Sequence, residues 1–247
     1  MKKVLLGALF VAHSLFGGEI SIAVAANVSY AIDELRTEFA KEHPGTKVRV
    51  TLSSSGKLTA QIKNGAPYGI FMSANMKFPE ALYSDKIATT QPVVYAQGAL
   101  AYLSTQNLDL SKGIALVASK EVSKIAIANP KTAPYGKAAL DAITNAGLLE
   151  AAQKKFVYAE SISQTVTYAI TAADIGFIAK SSLYSLPMKK YKEGIHFADV
   201  DPKLYTPIKQ GIVMLKYAKN SQEYRDFYEF ILSEKAKKIF QKYGYII

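Results

Sequence analysis

From residue 19 onward the chain alternates between two hydrophobic periods. Residues 19–25, Glu-Ile-Ser-Ile-Ala-Val-Ala, form a small β-branched run that reads as a strand. Val28, Ile32, Leu35 and Phe39 then recur at the intervals of one helix face, and His43-Pro44-Gly45 stops that helix. A second strand is predicted over 48–52. A second helix begins over 58–63 and ends at Asn64-Gly65-Ala66-Pro67, before a third strand over 70–73. A helical patch over 78–85 leads into one long strand over 93–104.

The same rhythm then restarts. Strands are predicted over 124–128, 156–159 and 175–178, separated by helices over 135–145 and 163–172. A strand over 207–215 precedes one last long helix from 221 to about 242. Strands alternating with helices predict an α/β architecture with mainly parallel sheets flanked by helices. Two successive sets, with a return to the first at the end, predict two lobes linked by crossovers near 94–98 and 204–210. Lobe I then takes residues 19–96 and 209–247, and lobe II takes 97–208.

The first residues follow neither period. Lys2 and Lys3 precede an apolar run, and small residues at Gly17-Gly18 precede the first acid, Glu19. This is the layout of a secretory signal peptide over 1–18, too short to span a membrane. No later stretch approaches the roughly 20 apolar residues of a transmembrane helix. The expectation is an exported, soluble, periplasmic protein.

Composition narrows the chemistry. The chain has 247 residues, 49% hydrophobic, and no cysteine, which excludes thiol catalysis, cysteine-based zinc sites and a lipoprotein anchor. Loss of Lys2 and Lys3 would lower the formal charge of +10 by two, to +8. Many lysines sit in helical stretches such as Glu234-Lys235-Ala236-Lys237-Lys238, which read as a solvated face, and export argues against a nucleic-acid partner.

Polar chemistry concentrates at four strand-to-helix junctions: Ala25-Ala26-Asn27-Val28-Ser29, Ser53-Ser54-Ser55-Gly56-Lys57, residues 129–136 and residues 159–164. Carboxyl ends of strands are where open α/β sheets bind ligands, and helix N-termini receive anions without a formal cation. Each junction also has a plain structural explanation. Asn27 and Ser55 are good N-caps, and Pro134 suits a helix's first turn. Taken singly, capping outweighs ligand binding at each.

Gly56-Lys57 lacks the remainder of a phosphate-binding loop, because Thr51 stands where the earlier glycine is needed and Leu58 where a hydroxyl is needed. Lys57 therefore reads as a helix-surface lysine. His43 and His196 lack metal-ligand spacing, and Glu160 is a lone carboxylate, so no catalytic constellation is legible.

At these junctions the sequence resembles the periplasmic molybdate-binding proteins of ABC importers. The resemblance rests on residues 22–28, on Ser54-Ser55-Gly56-Lys57-Leu58 with Gln61-Ile62 and Gly65-Ala66-Pro67, and on residues 70–74. It continues through Asn129-Pro130, residues 133–138 and the closing stretch 236–245. It implies a two-lobed periplasmic-binding-protein (type II) fold with a hinge. One tetrahedral oxyanion, molybdate and also tungstate, would be held between the lobes and delivered to an inner-membrane ABC permease.

Carried over by position, Asn27 and Ser55 would donate from side chain and backbone in lobe I. Tyr135 and Ile162 would donate backbone N–H groups from lobe II. The resemblance implies no catalytic residue and no cofactor, and metal only as molybdenum or tungsten within the oxyanion. It also implies a monomer. Some relatives use a tyrosine hydroxyl where this chain has Ala179, and many have a serine where it has Asn27. Rival readings are a receptor of the same architecture for sulfate or phosphate, and an exported enzyme acting on phosphorylated substrates.

Overall fold

A computed structural model describes residues 18–247. The signal peptide expected over 1–18 therefore lies, except for its last residue, outside the described residues. The strands are β1 (Glu19–Ala25), β2 (Lys47–Ser53), β3 (Ile70–Ser73), β4 (Val93–Gly98), β5 (Leu100–Leu103), β6 (Ile125–Ala128), β7 (Phe156–Ala159), β8 (Ile175–Ala179), β9 (Phe197–Asp199) and β10 (Ile208–Met214). The helices are α1 (Ile32–Glu42), α2 (Ser55–Lys63), α3 (Lys77–Ser84), α4 (Pro134–Asn145), α5 (Leu149–Ala152), α6 (Ile162–Thr171), α7 (Gln222–Leu232) and α8 (Glu234–Lys242). Short 3-10 turns join them.

Two five-stranded sheets result, ordered β2-β1-β3-β10-β4 and β7-β6-β8-β5-β9. In the first, β1 pairs in parallel with β2 and β3, while β10 runs antiparallel to β3 and β4. In the second, β6 is parallel to β7 and β8, while β5 runs antiparallel to β8 and β9. One reversed strand per sheet makes both mixed, with four strands sharing a direction. The central strands β3, β6 and β8 are buried along their whole length, because helices cover both faces. Phe39, Phe227 and Phe240 pack the helices of the first lobe onto its sheet, and Tyr135, Ile143 and Phe177 fill the second.

Two elements depart from the sequence reading. The strand expected over 93–104 is two strands in different sheets, broken at Ala99, where the chain first passes between lobes. Gly98 permits the passage: a Cβ there would lie 1.9 Å from the Tyr135 hydroxyl. The chain returns through residues 200–207, after β9.

The long C-terminal helix is also two helices, α7 and α8. Ser233 adopts extended angles (φ −74°, ψ 161°) and its side chain accepts the Ala236 N–H, capping α8. Beyond α8, Gly244 turns at φ +75°, a conformation that favours glycine. Ile246 then pairs with Gln97 through two backbone hydrogen bonds of 2.8 and 2.9 Å. That turn buries Tyr245 beneath Asn27.

Candidate functional site

The four junctions come from two different sheets, yet they meet. Asn27, Ser55, Tyr135 and Ile162 all line one small cavity, together with Ala25, Ala26, Ser54, Ala74, Ala133 and Pro134. No charged side chain is among them. None of α2, α4 and α6, whose first turns face this space, carries an acid in that turn. Unpaired N–H groups and the positive ends of helix dipoles therefore set the local field.

Local structure decides which groups are free. Ser55 is not the N-cap expected from sequence; it is the first residue of α2, and Ser54 holds the cap position without making a side-chain cap bond. The Ser55 Oγ accepts the Ala74 N–H at 2.9 Å, which leaves the hydroxyl proton free to donate. Asn27 likewise lies inside a 3-10 turn over Ala26–Tyr30 whose cap position is Ala25. Helix α4 starts with Pro134 after Ala133, which has no side-chain acceptor to offer, so its first N–H groups stay uncapped. Of α2, α4 and α6 only α6 has a side-chain cap, Ser161, whose Oγ accepts the Gln164 N–H at 3.3 Å.

Among the described residues four buried polar side-chain atoms lack a partner; Asn27 Oδ1 and Ser54 Oγ belong to lining residues, and Thr132 Oγ1 belongs to the neighbour of the lining residue Ala133. Thr132 meets the start of α2, where its carbonyl accepts the Gly56 N–H at 2.8 Å. A Cβ on Gly56 would come within 2.9 Å of the Thr132 Cα, so glycine allows this approach. Buried polar atoms are paired in nearly all native sites, and a cluster of exceptions marks a place built for something else.

Several bonds join the lobes around the cavity. The Ser181 hydroxyl donates to the Asn27 carbonyl at 3.1 Å, and Gln210 Nε2 donates to the Tyr135 hydroxyl at 3.3 Å. Below the cavity, Asn27 Nδ2 donates to Gln210 Oε1 at 2.8 Å and to the Tyr245 hydroxyl at 3.0 Å. The Tyr95 hydroxyl donates to the same Gln210 oxygen at 2.8 Å. Burial pushes the Tyr95 and Tyr135 phenols well above their ordinary pKa and that of Tyr245 up to about 12. None of the three carries a negative charge near neutral pH.

Lys57, expected on a helix surface, does lie there, with 41% of its side chain exposed, but its Nζ reaches Glu160 across the cleft at 2.8 Å. Hydrogen bonding to Lys57 holds the Glu160 carboxyl below its ordinary 4.5. A depressed carboxylate pKa strengthens the joined state at neutral pH. The contribution fades as pH falls below the ordinary value and is gone below the depressed one. Both side chains are exposed, so the pair is weak. Glu160→Gln should speed ligand release only about twofold at pH 7. Once the pH falls below the depressed value, the variant and wild type should release alike, measured by stopped flow.

Neither histidine joins the site. His43 stacks on Phe39 with ring centroids 4.5 Å apart, and His196 Nδ1 accepts the Lys192 N–H. Ala179 ends β8 buried and outside the cavity lining. Sequence reasoning placed Ser54 and Thr132 in the junctions and Tyr245 in the closing stretch without giving any of them a role, and it missed Gln210. Gln210 left one trace, a polar residue inside the apolar strand run 208–214. A larger cavity lies between the crossovers against Gly98, Leu100, Tyr184 and Tyr205. Within it Lys180 is paired with Asp199 and the Tyr205 hydroxyl accepts the Leu100 N–H.

Two α/β lobes joined twice, with a neutral donor-lined cavity between them, define a solute-binding protein. The chain belongs to the bacterial extracellular solute-binding protein family, whose pattern matches residues 20–246. It is 32% identical to the molybdate-binding protein ModA of Azotobacter vinelandii over 98% of this chain and 95% of that protein. It is 34% identical to ModA of Rhodobacter capsulatus over 93% of this chain and 88% of that protein. The solved structure of the Azotobacter vinelandii periplasmic molybdate-binding protein superposes with a TM-score of 0.84, covering 92% of this chain and 99% of that one. No helix among the described residues is long and apolar enough to cross a membrane.

Proposed function

We propose that this protein captures molybdate, and tungstate with it, between its lobes in the periplasm and passes it to an inner-membrane ABC permease. The observation that carries this reading is the convergence of four strand-to-helix junctions on one buried, uncharged cavity. The role is binding and delivery rather than catalysis, and the relatives named for molybdate support it.

The chemistry of the donor set favours this class of ligand. Molybdate and tungstate carry no proton near neutral pH and accept at every oxygen. A cradle of N–H and O–H donors satisfies them, whereas hydrogen phosphate would bring a proton that needs an acceptor. Each hydrogen bond to a charged group is worth about 1.5–3 kcal/mol, so several from two lobes sustain tight binding after the work of closure. The Gly56–Thr132 and Ser181–Asn27 bonds join the lobes directly and hold the closed form, with the two crossovers as hinge.

Sulfate shares the charge and shape but is smaller, so cavity size selects against it. Calorimetry on the mature protein should give heat with molybdate and tungstate and little with sulfate or phosphate. Heat with sulfate and none with molybdate would overturn the assignment while keeping the architecture.

A further inference from the structure

The amides of Asn27 and Gln210 raise a problem that the proposed molybdate reading sharpens, and the inference below rests on that reading. The oxygen and nitrogen of an amide are told apart only by their partners. In the orientation described above, Asn27 directs both N–H bonds downward, to Gln210 Oε1 and the Tyr245 hydroxyl. That leaves Asn27 Oδ1 buried without a donor, on a residue that lines the cavity. It also makes the Tyr135 hydroxyl an acceptor from Gln210 Nε2, with no acceptor for its own proton among the described residues. A lone acceptor oxygen is the wrong group to present to an anion.

Exchanging oxygen and nitrogen in both amides, with every heavy atom left in place, removes each fault. Gln210 Nε2 then donates to Asn27 Oδ1 and to the Tyr95 hydroxyl across the same 2.8 Å separations. The Tyr135 hydroxyl donates to Gln210 Oε1 across 3.3 Å. The Tyr95 proton turns to the Ser73 carbonyl, 3.5 Å away. The Asn27 carbonyl keeps the Ser181 hydroxyl as donor, which frees the Tyr245 proton for Asn27 Oδ1 across 3.0 Å. Asn27 Nδ2 takes the place of the orphaned oxygen, with both N–H bonds available to the cavity.

We infer that the anion-loaded protein holds both amides in this exchanged orientation, and that Gln210 is the positioning residue that sets it. Gln210 does not line the cavity and acts on the anion through Asn27. It sits on β10 just past the second crossover and touches Tyr95 of β4 and Tyr135 of α4. Closing the lobes brings Tyr135 to Gln210, so the donor state of Asn27 is completed by closure itself. The device also sharpens selectivity, because it removes a carbonyl acceptor that could welcome a protonated oxyanion.

A double-mutant cycle with molybdate tests the assignment. Gln210→Met, which keeps the length of the side chain and loses its hydrogen bonds, should weaken binding about tenfold in the wild-type background. In the Asn27→Ala background the same change should alter affinity less than twofold, because a residue acting through Asn27 has nothing left to orient. An undiminished effect there, with normal wild-type binding, overturns the amide assignment alone. Absence of molybdate binding by the wild type overturns the molybdate reading and this inference together. An NMR measurement needs no variant: with asparagine labelled by nitrogen-15 and molybdate bound, the Asn27 side-chain N–H protons should show no NOE to the Tyr245 ring. A strong NOE between them would overturn the assignment even if Gln210→Met failed to fold.

Discussion

Ser55→Ala is expected to weaken molybdate binding at least tenfold, equivalent to about 1.4 kcal/mol or more. The Ser55 side chain is fully buried, and its oxygen is held by the Ala74 N–H at 2.9 Å, so its proton has one direction left, into the cavity. Removing the hydroxyl takes away that donor and leaves the Ala74 N–H without its partner. The second loss should also lower folding stability by about 1–3 kcal/mol, because a buried donor stays unsatisfied. Calorimetry and thermal unfolding separate the two effects. Lower stability with unchanged affinity would make Ser55 a support for the turn after β3 and nothing more.

Gly136→Ala should do comparable damage by a different route. A Cβ at this position would lie 1.9 Å from the Ala128 carbonyl oxygen and 2.6 Å from its carbon, both backbone atoms at the end of β6. No side chain can swing aside, so α4 must move away from the strand. We expect a loss of about 3 kcal/mol in stability, seen as a fall of about 6–12 °C in Tm. Displacing the N-terminus of α4 also withdraws the Tyr135 N–H from the cavity, so affinity for molybdate should fall more than tenfold. Unfolding and calorimetry on the same variant check both. A variant with wild-type Tm would show that β6 and α4 can separate without strain.

These two positions differ in how legible they were. Ser55 stands out in the run Ser53-Ser54-Ser55-Gly56, after an alternating strand and before a helical period, and that pattern points to a helix N-terminus. It cannot say which of three adjacent serines holds the cap position and which keeps a hydroxyl proton free at the cavity. The answer depends on the Ala74 N–H, nineteen residues away, which claims the Ser55 oxygen. Gly136 reads as permissive backbone in sequence, and only the packing of α4 on β6 shows that its missing Cβ is required.

Other misses have the same origin. The run over 93–104 keeps strand-forming residues on both sides of Ala99, although Val93 and Val94 are exposed while β5 is buried throughout, and local composition does not record that the halves belong to different sheets. Helical periodicity likewise passes through Ser233, whose extended conformation and capping bond split the last helix. The ion pair of Lys57 with Glu160 joins residues a hundred positions apart, which no local pattern encodes.

The sequence by itself therefore determined the α/β alternation, the edges of most strands and helices, and the four polar junctions. All of these depend on neighbours within a few residues, where hydrophobic period and capping chemistry operate. Only the tertiary structure decided that the four junctions face one cavity, that Ser54 and not Ser55 holds the cap position, and that Gln210 and Tyr245 lie beneath Asn27. Those are relations between segments brought together by sheet order and by the two passages of the chain between lobes. The physical reason is that a hydrogen-bond donor is free or occupied according to what packs against it, and for this cavity the packing partners come from the far ends of the chain.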